Sequence, residues 1–245
     1  MGTKDLFSGH AADYSKFRPT YPPELFGYLG ALVDKHDLVW DCATGNGQAA
    51  RDLAPLFRRV HATDLSAAQL EAAPKLPNVT YVATPAERSG LPDGCCDLVT
   101  VAQALHWLPF QTFWTEVKRV LRPGGAVAAW SYAVCQVTPA IDDLVQDYYE
   151  RTLGPYWEPE RRHVDSGYRD IPFPFDELPP PRLEMKASWT AEQFVGYLSS
   201  WSATKTAIKK AGADPLAPLA PKLFSLWGSG ERSVSWPLHV RAGRV

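Results

Sequence analysis

A glycine loop that follows a short apolar run constrains the fold of this chain more than any other stretch. The run at positions 38–40 ends in Asp41, passes through Gly45 and Gly47, and continues from Gln48 in a pattern typical of a helix. This order predicts a β-strand, a tight turn and the first turn of an α-helix. Glycine at 45 and 47 permits a positive φ and lets a ligand approach the main chain.

A second acid indicates what kind of ligand the loop binds. Asp64 ends the next apolar run, and adjacent parallel strands place it beside the loop, where carboxylates hold ribose hydroxyls. Gly45, Gly47 and Ala50 also satisfy the G-x-G-x-x-G/A pattern of dinucleotide-binding folds. In that case, however, Asp41 would lie beside phosphates, and Asp64 follows Gly47 by only 17 positions (64 − 47). Both observations favour a ligand with a cationic amine over a pyrophosphate.

Five segments in the expected order give the chain a resemblance to class I S-adenosylmethionine-dependent methyltransferases, in the small-molecule branch similar to type 11. Together they cover roughly residues 38 to 130. The segments are Asp41 to Gly47, with Ala43 where the family usually has its first glycine; Asp64; the polar stretch Thr84 to Glu87; the fourth strand, Cys96 to Ala104; and Leu121 to Gly125, which reads Leu-Arg-Pro-Gly-Gly.

The resemblance implies an α/β fold. We expect a Rossmann-like, doubly wound sheet of seven mostly parallel strands, with an antiparallel last strand and a cap of helices and loops. Residues 1–245 would form a single methyltransferase domain, in which residues 1–22 are a lid segment. Residues 131–181 have no clear period and are rich in proline and aromatic residues, so we expect a cap insertion after the fifth strand.

The same resemblance implies S-adenosylmethionine as the cofactor and assigns residues to it. Asp64 would bind the ribose hydroxyls, the glycine loop would lie under the methionine moiety, and Glu87 would lie beside adenine. Asp41 would organise the loop or bind the amino group of the cofactor through water, and Arg18 would pair with the carboxylate of the cofactor. The full expected set is Arg18, Asp41, Ala43, Gly45, Gly47, Asp64, Leu65, Ala86, Glu87 and Gln103.

Three residues are candidates for the catalytic side of the site. Tyr14 and Tyr21 lie in the leader and would close the site, and His106 follows the fourth strand, where acceptors meet the cofactor in this fold. An imidazole titrates near neutrality, so His106 could deprotonate a hydroxyl, although a structural hydrogen bond is the alternative role. A carboxylate acceptor would need no base. The expected reaction is methyl transfer to a small molecule, at a carboxylate or hydroxyl oxygen.

Composition excludes several other classes of function. A net charge of -2 and a pI near 6.3 argue against a nucleic-acid surface, and no apolar run is long enough to span a membrane. The four cysteines lack metal-ligand spacing, so we expect no metal and reduced thiols in a cytoplasmic protein. An NAD-dependent oxidoreductase and a non-catalytic S-adenosylmethionine-binding scaffold remain as alternatives. The sequence does not specify the oligomeric state.

Overall fold

The computed structural model describes residues 19–245. Tyr14 and Arg18, and most of the expected lid segment 1–22, lie outside the described residues. Within residues 19–245 the centre of the fold is a sheet of eight strands. The strands are β1 Leu38–Cys42, β2 Arg59–Asp64, β3 Val79–Ala83, β4 Cys96–Ala102, β5 Leu121–Tyr132, β6 Asp176–Leu178, β7 Leu183–Trp189 and β8 Arg232–Arg244.

The sheet is mostly parallel. Its order is β3-β2-β1-β4-β5-β8, in which β1 to β5 pair in parallel and β8 is antiparallel to β5. Every residue of β1 is buried, as is β4 as far as Val101. Continuous burial is typical of parallel strands that are covered on both faces. The predicted fold class, an α/β fold with an antiparallel last strand, is therefore confirmed.

The predicted number of seven strands is wrong by one. Strand β6 lies inside the segment 131–181, for which we expected no strand, and it pairs with the same edge of β8 as β7 does. Leu178 is opposite Ala242 and Leu183 is opposite Leu238, so the two strands lie end to end. Three consecutive prolines at 179–181 separate them, and proline cannot donate a ladder hydrogen bond. The strand was missed because it has three residues and borders this proline run.

Helices cover both faces of the sheet. Ser66 caps α3 by accepting a hydrogen bond from the Gln69 main chain, and Thr190 forms a capping box with Gln193 at the start of α7. No helix within residues 19–245 is both long and apolar enough to cross a membrane. The helices are α1 Pro23–Ala31, α2 Gln48–Leu53, α3 Ala67–Glu71, α4 Phe110–Val120, α5 Pro139–Asp147, α6 Arg161–Asp165, α7 Ala191–Ser199, α8 Ser202–Ala211 and α9 Ala220–Trp227.

The sheet separates two hydrophobic cores. Trp130 and Tyr132 of β5 point into the core formed with α1, α2, α5 and α7 to α9, whereas Val127 and Ala129 point into the core formed with α4 and α6. This alternation follows from the period of two along a strand. Strands β1, β2, β4 and β5 are held in register, so the turns that follow their carboxyl ends lie together at one edge of the sheet. That edge carries the candidate site.

Candidate active site

The Asp64 carboxylate holds the turns that follow β1 and β2 together. Its Oδ2 accepts a hydrogen bond from the Gly45 N–H at 2.8 Å, and its Oδ1 accepts one from the Ser66 N–H at 2.8 Å. The Thr44 N–H donates to the Thr63 carbonyl at 2.9 Å, which continues the pairing of the strands into the loop. The acid is therefore next to the glycine loop, where the sequence predicts it.

The two loop glycines have different surroundings. Gly45 has a φ of +58°, and no atom of residues 19–245 lies within 4 Å of the position that a Cβ would take there. Gly47 has a φ of +77°, but its Cβ would lie 2.6 Å from the Tyr81 Oη. The space for a ligand is thus at Gly45, while Gly47 is required by packing within the protein. Ala43 also has a positive φ, of 54°, which is strained for a residue with a Cβ.

Asp41 is a fully buried acid at the end of β1. It accepts hydrogen bonds from the Thr44 hydroxyl and, at 2.7 Å, from the Thr100 hydroxyl. Burial is the main cause that raises its pKa to about 6, and the negative charge of Asp64 adds to the effect. Two neighbouring carboxylates make this side of the loop electronegative. A cationic group bound there would relieve the cost of ionising Asp41.

Glu87 carries an acceptor that the described protein does not satisfy. Its Oε2 is buried and has no hydrogen-bond partner within residues 19–245. The neighbouring Ala86 is buried, and Leu65, which follows Asp64, keeps 36% of its surface exposed. A buried acceptor without a donor costs about 1–3 kcal/mol. A bound ring with an amino group would satisfy Glu87 and cover Leu65.

Gln103 joins the ends of β4 and β5. Its side-chain Nε2 donates to the Tyr132 carbonyl at 3.0 Å, and its Oε1 accepts from the Tyr132 N–H at 2.8 Å. Its own N–H donates to the Trp130 carbonyl at 2.8 Å, and its φ is +53°. The side-chain amide is therefore engaged within the protein, so its predicted contact with the cofactor, which remains a prediction, would have to use the main chain.

His106 lies in a 3₁₀ turn, Leu105–Trp107, directly after β4. The imidazole is 5% exposed, and its Nδ1 is 3.0 Å from the Tyr168 Oη. Burial, followed by electrostatic repulsion from Arg161 and His163, lowers the pKa of His106 to about 3. The ring is therefore neutral at physiological pH and a weak base.

Tyr168 holds the ring of His106 in place. Tyr168 is fully buried and has a φ of +64°. Burial raises the pKa of its phenol, so the hydroxyl stays protonated at physiological pH. The main-chain N–H groups of Leu105 and His106 donate hydrogen bonds to the same phenol oxygen. An oxygen that accepts from these N–H groups donates its own hydrogen to His106 Nδ1. This arrangement favours the tautomer with a hydrogen on Nε2.

Arg161 places a positive charge near His106. Its Nε donates to the Tyr149 Oη at 2.9 Å and lies 3.6 Å from the Asp165 carboxylate, and its guanidinium carbon lies 4.9 Å from the Trp157 ring centroid. Its two terminal nitrogens have no hydrogen-bond partner among the described residues. The side chain is 21% exposed. It can therefore offer two parallel N–H donors to an anionic ligand.

Comparison with known proteins agrees with this geometry. A family model described as a methyltransferase domain matches residues 40–129. A Dictyostelium discoideum protein named among the methyltransferases is 37% identical over 227 residues, which are 91% of this chain and 86% of that protein. The chain belongs to the class I S-adenosylmethionine-dependent methyltransferases.

A solved structure and a second sequence relative support the same assignment. An Anaeromyxobacter dehalogenans structure, named among the type II methyltransferases, shares 45% identity with a TM-score of 0.87, and the match covers 93% of this chain and 97% of that one. The methyltransferase cfoB of Aspergillus candidus is 27% identical over 222 residues, 78% of this chain and 68% of that protein. The protein is thus an enzyme of this family, and the oxidoreductase and scaffold alternatives are set aside.

The cofactor of the methyltransferase is S-adenosylmethionine. The residues present fit it. The electronegative pocket at Asp41 suits its cationic amine and sulfonium, and the unsatisfied Glu87 Oε2 suits the amino group of adenine. Within residues 19–245, no group of three or more His, Cys, Asp or Glu residues is arranged to hold a metal ion. The role of each predicted cofactor-binding residue stays a prediction.

The structure does not bring all predicted catalytic residues of the methyltransferase together. Tyr21 is buried and packs edge-on against Trp130, with ring centroids 5.5 Å apart, in the core on the opposite face of the sheet from Val127. Sequence reasoning missed Arg161 and Tyr168, because both lie in the segment without a clear period. The same segment also holds Arg151, Arg162 and Arg169, so a positive charge among its aromatic residues does not distinguish Arg161.

Proposed function

We infer that this methyltransferase esterifies a carboxylate of a small organic acid. The observation that carries the proposal is the unused end of the Arg161 guanidinium, close enough to the neutral His106 for its charge to lower the pKa of that imidazole. Guanidinium binds carboxylate through two parallel hydrogen bonds, and such charge-assisted bonds are stronger than neutral ones. The Nε2–H of His106 would supply a further donor.

The low basicity of His106 favours a carboxylate over a hydroxyl acceptor. A hydroxyl must lose its proton to become a good nucleophile, and an imidazole with a pKa of about 3 removes it poorly. A carboxylate is already ionised at neutral pH and needs no base. His106 therefore acts in this proposal as a hydrogen-bond donor that orients the acceptor, and not as the general base.

Aromatic side chains would hold the uncharged part of the acceptor. The rings of Tyr149 and Trp157 lie 4.8 Å apart, and those of Trp157 and Trp201 lie 5.8 Å apart. Burial raises the pKa of Tyr149 to about 12, so its phenol is neutral. The acceptor we propose is accordingly a small acid with an apolar or aromatic body. Tyr149, Trp157 and Arg161, which all belong to the segment 131–181, contribute to the acceptor side of the site in this proposal.

The cofactor supplies a methyl group bound to a sulfonium, and the neutral thioether that remains after transfer is a good leaving group. The task of the chain is then to align the acceptor and exclude water, and alignment can lower a barrier by about 7–11 kcal/mol. On the cofactor side we propose that Asp64 binds the ribose hydroxyls, Gly45 lies under the methionine moiety, and Leu65 and Glu87 contact adenine. Arg161 and His106 then fix the direction of the attacking oxygen.

A matched pair of acceptors tests the proposal. Purified enzyme is given S-adenosylmethionine with a labelled methyl group and either phenylacetic acid or 2-phenylethanol, followed by further aryl and alkyl acids with their alcohols. We expect methyl esters from acids and no ether from alcohols. Arg161→Gln should lower kcat/KM for the acid about 10- to 150-fold, because a charged hydrogen bond contributes about 1.5–3 kcal/mol.

The neighbouring Arg162→Gln is the control, since Arg162 is exposed on the same helix. It should change kcat/KM by less than about twofold, and both variants should bind S-adenosylhomocysteine with the wild-type affinity. Methylation of the alcohols, or an Arg161→Gln variant as active on acids as the wild type, would overturn the carboxylate proposal while leaving the methyltransferase assignment intact.

A further inference from the structure

A break in the outer edge of the sheet opens a cleft beside β8. Leu183 and Leu178 mark the ends of β7 and β6 along this edge, opposite Leu238 and Ala242. Residues 239–241 of β8 lie between these two pairs, and no strand within residues 19–245 is opposite them on that edge. The prolines at 179–181 carry the chain around the break, and the cleft that results has a volume of about 590 Å³.

The cleft carries more positive than negative charge. Arg169, Arg182 and Arg241 line it, and among the described residues Glu177 is the one acid that does. Arg241 donates to Glu177 at 2.6 Å, and also to the main-chain carbonyls of Tyr168 and Ile171 at 2.7 Å, so its charge is offset and its side chain is fixed. Two cationic charges remain, in a chain whose net charge is -2.

Neither of the two remaining arginines is engaged by the described protein. Arg169 and Arg182 are exposed, and neither side chain forms an ion pair or a hydrogen bond within residues 19–245. His239 also lines the cleft, and burial together with the charge of Arg169 lowers its pKa, so it is a neutral hydrogen-bonding group at physiological pH. These groups can all donate to an anion.

We propose that this cleft is a binding site for a small anionic metabolite, whose phosphate or carboxylate group pairs with Arg169 and Arg182. Guanidinium groups are suited to both anions. A volume of about 590 Å³ exceeds what a lone phosphate needs and lies within the range of small-molecule sites. The uncharged part of the ligand would pack on Leu178, Pro180 and Leu183, which line the cleft.

None of the residues that line this cleft is one that the proposed function assigns to the methyl acceptor. The two sites are nevertheless adjacent along the chain. Gly167 lines the cleft, and the phenol of the next residue, Tyr168, contacts His106. A Cβ on Gly167 would lie 2.9 Å from the His239 ring, so the two segments are packed tightly here. The inference does not depend on the identity of the methyl acceptor.

Calorimetric titration tests the site with two probes, glycerol 3-phosphate and citrate, in a chloride buffer with saturating S-adenosylhomocysteine. The variant is Arg169→Gln with Arg182→Gln. The matched control is Arg58→Gln with Arg59→Gln, because both residues are exposed and Arg59 begins β2 at the other end of the sheet. Circular dichroism checks that each double variant is folded.

We expect the wild type to bind at least one probe, the Arg169/Arg182 variant to bind it at least about tenfold more weakly, and the control to change its affinity by less than about twofold. Binding of glycerol 3-phosphate alone identifies a phosphate ligand, and binding of citrate alone identifies a carboxylate ligand. The proposal is overturned if the wild type binds neither probe, or if the Arg169/Arg182 variant binds as tightly as the wild type.

Discussion

On the cofactor side, the polar groups of the site come from the last residues of β1 and β2 and from the loops after β1 and β3. On the proposed acceptor side they come from residues far apart in the chain. Gly45 and Asp64 are 19 positions apart and meet because their strands are neighbours in the sheet. His106 and Tyr168 are 62 positions apart and meet only because α6 packs beside the turn after β4.

This difference shows what each side requires of the sequence. Neighbouring parallel strands bring the cofactor groups together whatever the rest of the chain does, so a short pattern of acids and glycines is sufficient. The acceptor side depends on one buried contact and on a positive φ at Tyr168. We therefore expect substitutions on the cofactor side to change cofactor affinity or stability, and substitutions on the acceptor side to change the use of the acceptor.

The largest expected effect is that of Gly47→Ala. A positive φ costs alanine about 1–2 kcal/mol, and the clash with Tyr81 adds about 1–3 kcal/mol of overpacking. We expect the free energy of unfolding in urea to fall by about 2–5 kcal/mol as the sum of these two costs. Adding Tyr81→Phe should restore part of the loss, because it removes the oxygen that would lie 2.6 Å from the new Cβ.

Gly45→Ala is the matched control for this prediction. No atom of the part of the chain that the structure describes lies within 4 Å of its Cβ position, so it should cost only the backbone strain, about 1–2 kcal/mol. Its main effect should be on S-adenosylhomocysteine affinity, since the open space at Gly45 is where the ligand would lie. Equal losses of stability in the two variants would contradict the different roles assigned to the two glycines.

The next largest effect is that the raised pKa of Asp41 makes the free energy of unfolding depend on pH. Its native pKa is about 6 against an ordinary value of 3.8, so the native state binds this proton more tightly than the unfolded state. The native state therefore loses stability as pH rises from 3.8 to 6 and regains none above it. At pH 8 the accumulated cost is about 3 kcal/mol, and at pH 5 it is about half as large.

Asp41→Asn should remove this cost. We expect the variant to be more stable than the wild type by up to about 3 kcal/mol at pH 8 and by less at pH 5, as measured by urea unfolding at both values. The same variant should bind S-adenosylhomocysteine more weakly, because the negative charge that attracts the amine is lost. A difference in stability between the variant and the wild type that is the same at pH 5 and at pH 8 would show that Asp41 does not titrate with a raised pKa in the native state.

Tyr168→Phe tests the acceptor side. It leaves the Nδ1 of His106 without its donor in a buried place, which costs about 1–3 kcal/mol of stability. We expect kcat/KM for the acceptor to fall and S-adenosylhomocysteine affinity to stay within about twofold of the wild type. Tyr156→Phe is the control, because this half-buried phenol has no side-chain hydrogen bond within residues 19–245. A loss of cofactor affinity in Tyr168→Phe would show that the two sides are not independent.

The same contrast explains how much the sequence could predict. The strands β1 to β5, the positions of Asp41 and Asp64, and the capped starts of α3 and α7 follow from patterns within about ten residues. Arg161 and Tyr168 could not be predicted, because their roles depend on contacts with Tyr149 and His106 that no local pattern specifies. Strand β6 was missed because its pairing with β8 joins residues more than 60 positions apart.

The smallest expected effect is a gain of stability from Ala43→Gly. Ala43 occupies a left-handed conformation, with a φ of 54°, that costs alanine about 1–2 kcal/mol. Glycine avoids this cost but loses about 0.5–1 kcal/mol through the entropy of the unfolded chain. The net gain should be up to about 1.5 kcal/mol, with S-adenosylhomocysteine affinity kept. Ala50→Gly, in the regular helix α2, should instead lose about 1 kcal/mol, so a loss in both variants would mean that the loop around Ala43 is not strained.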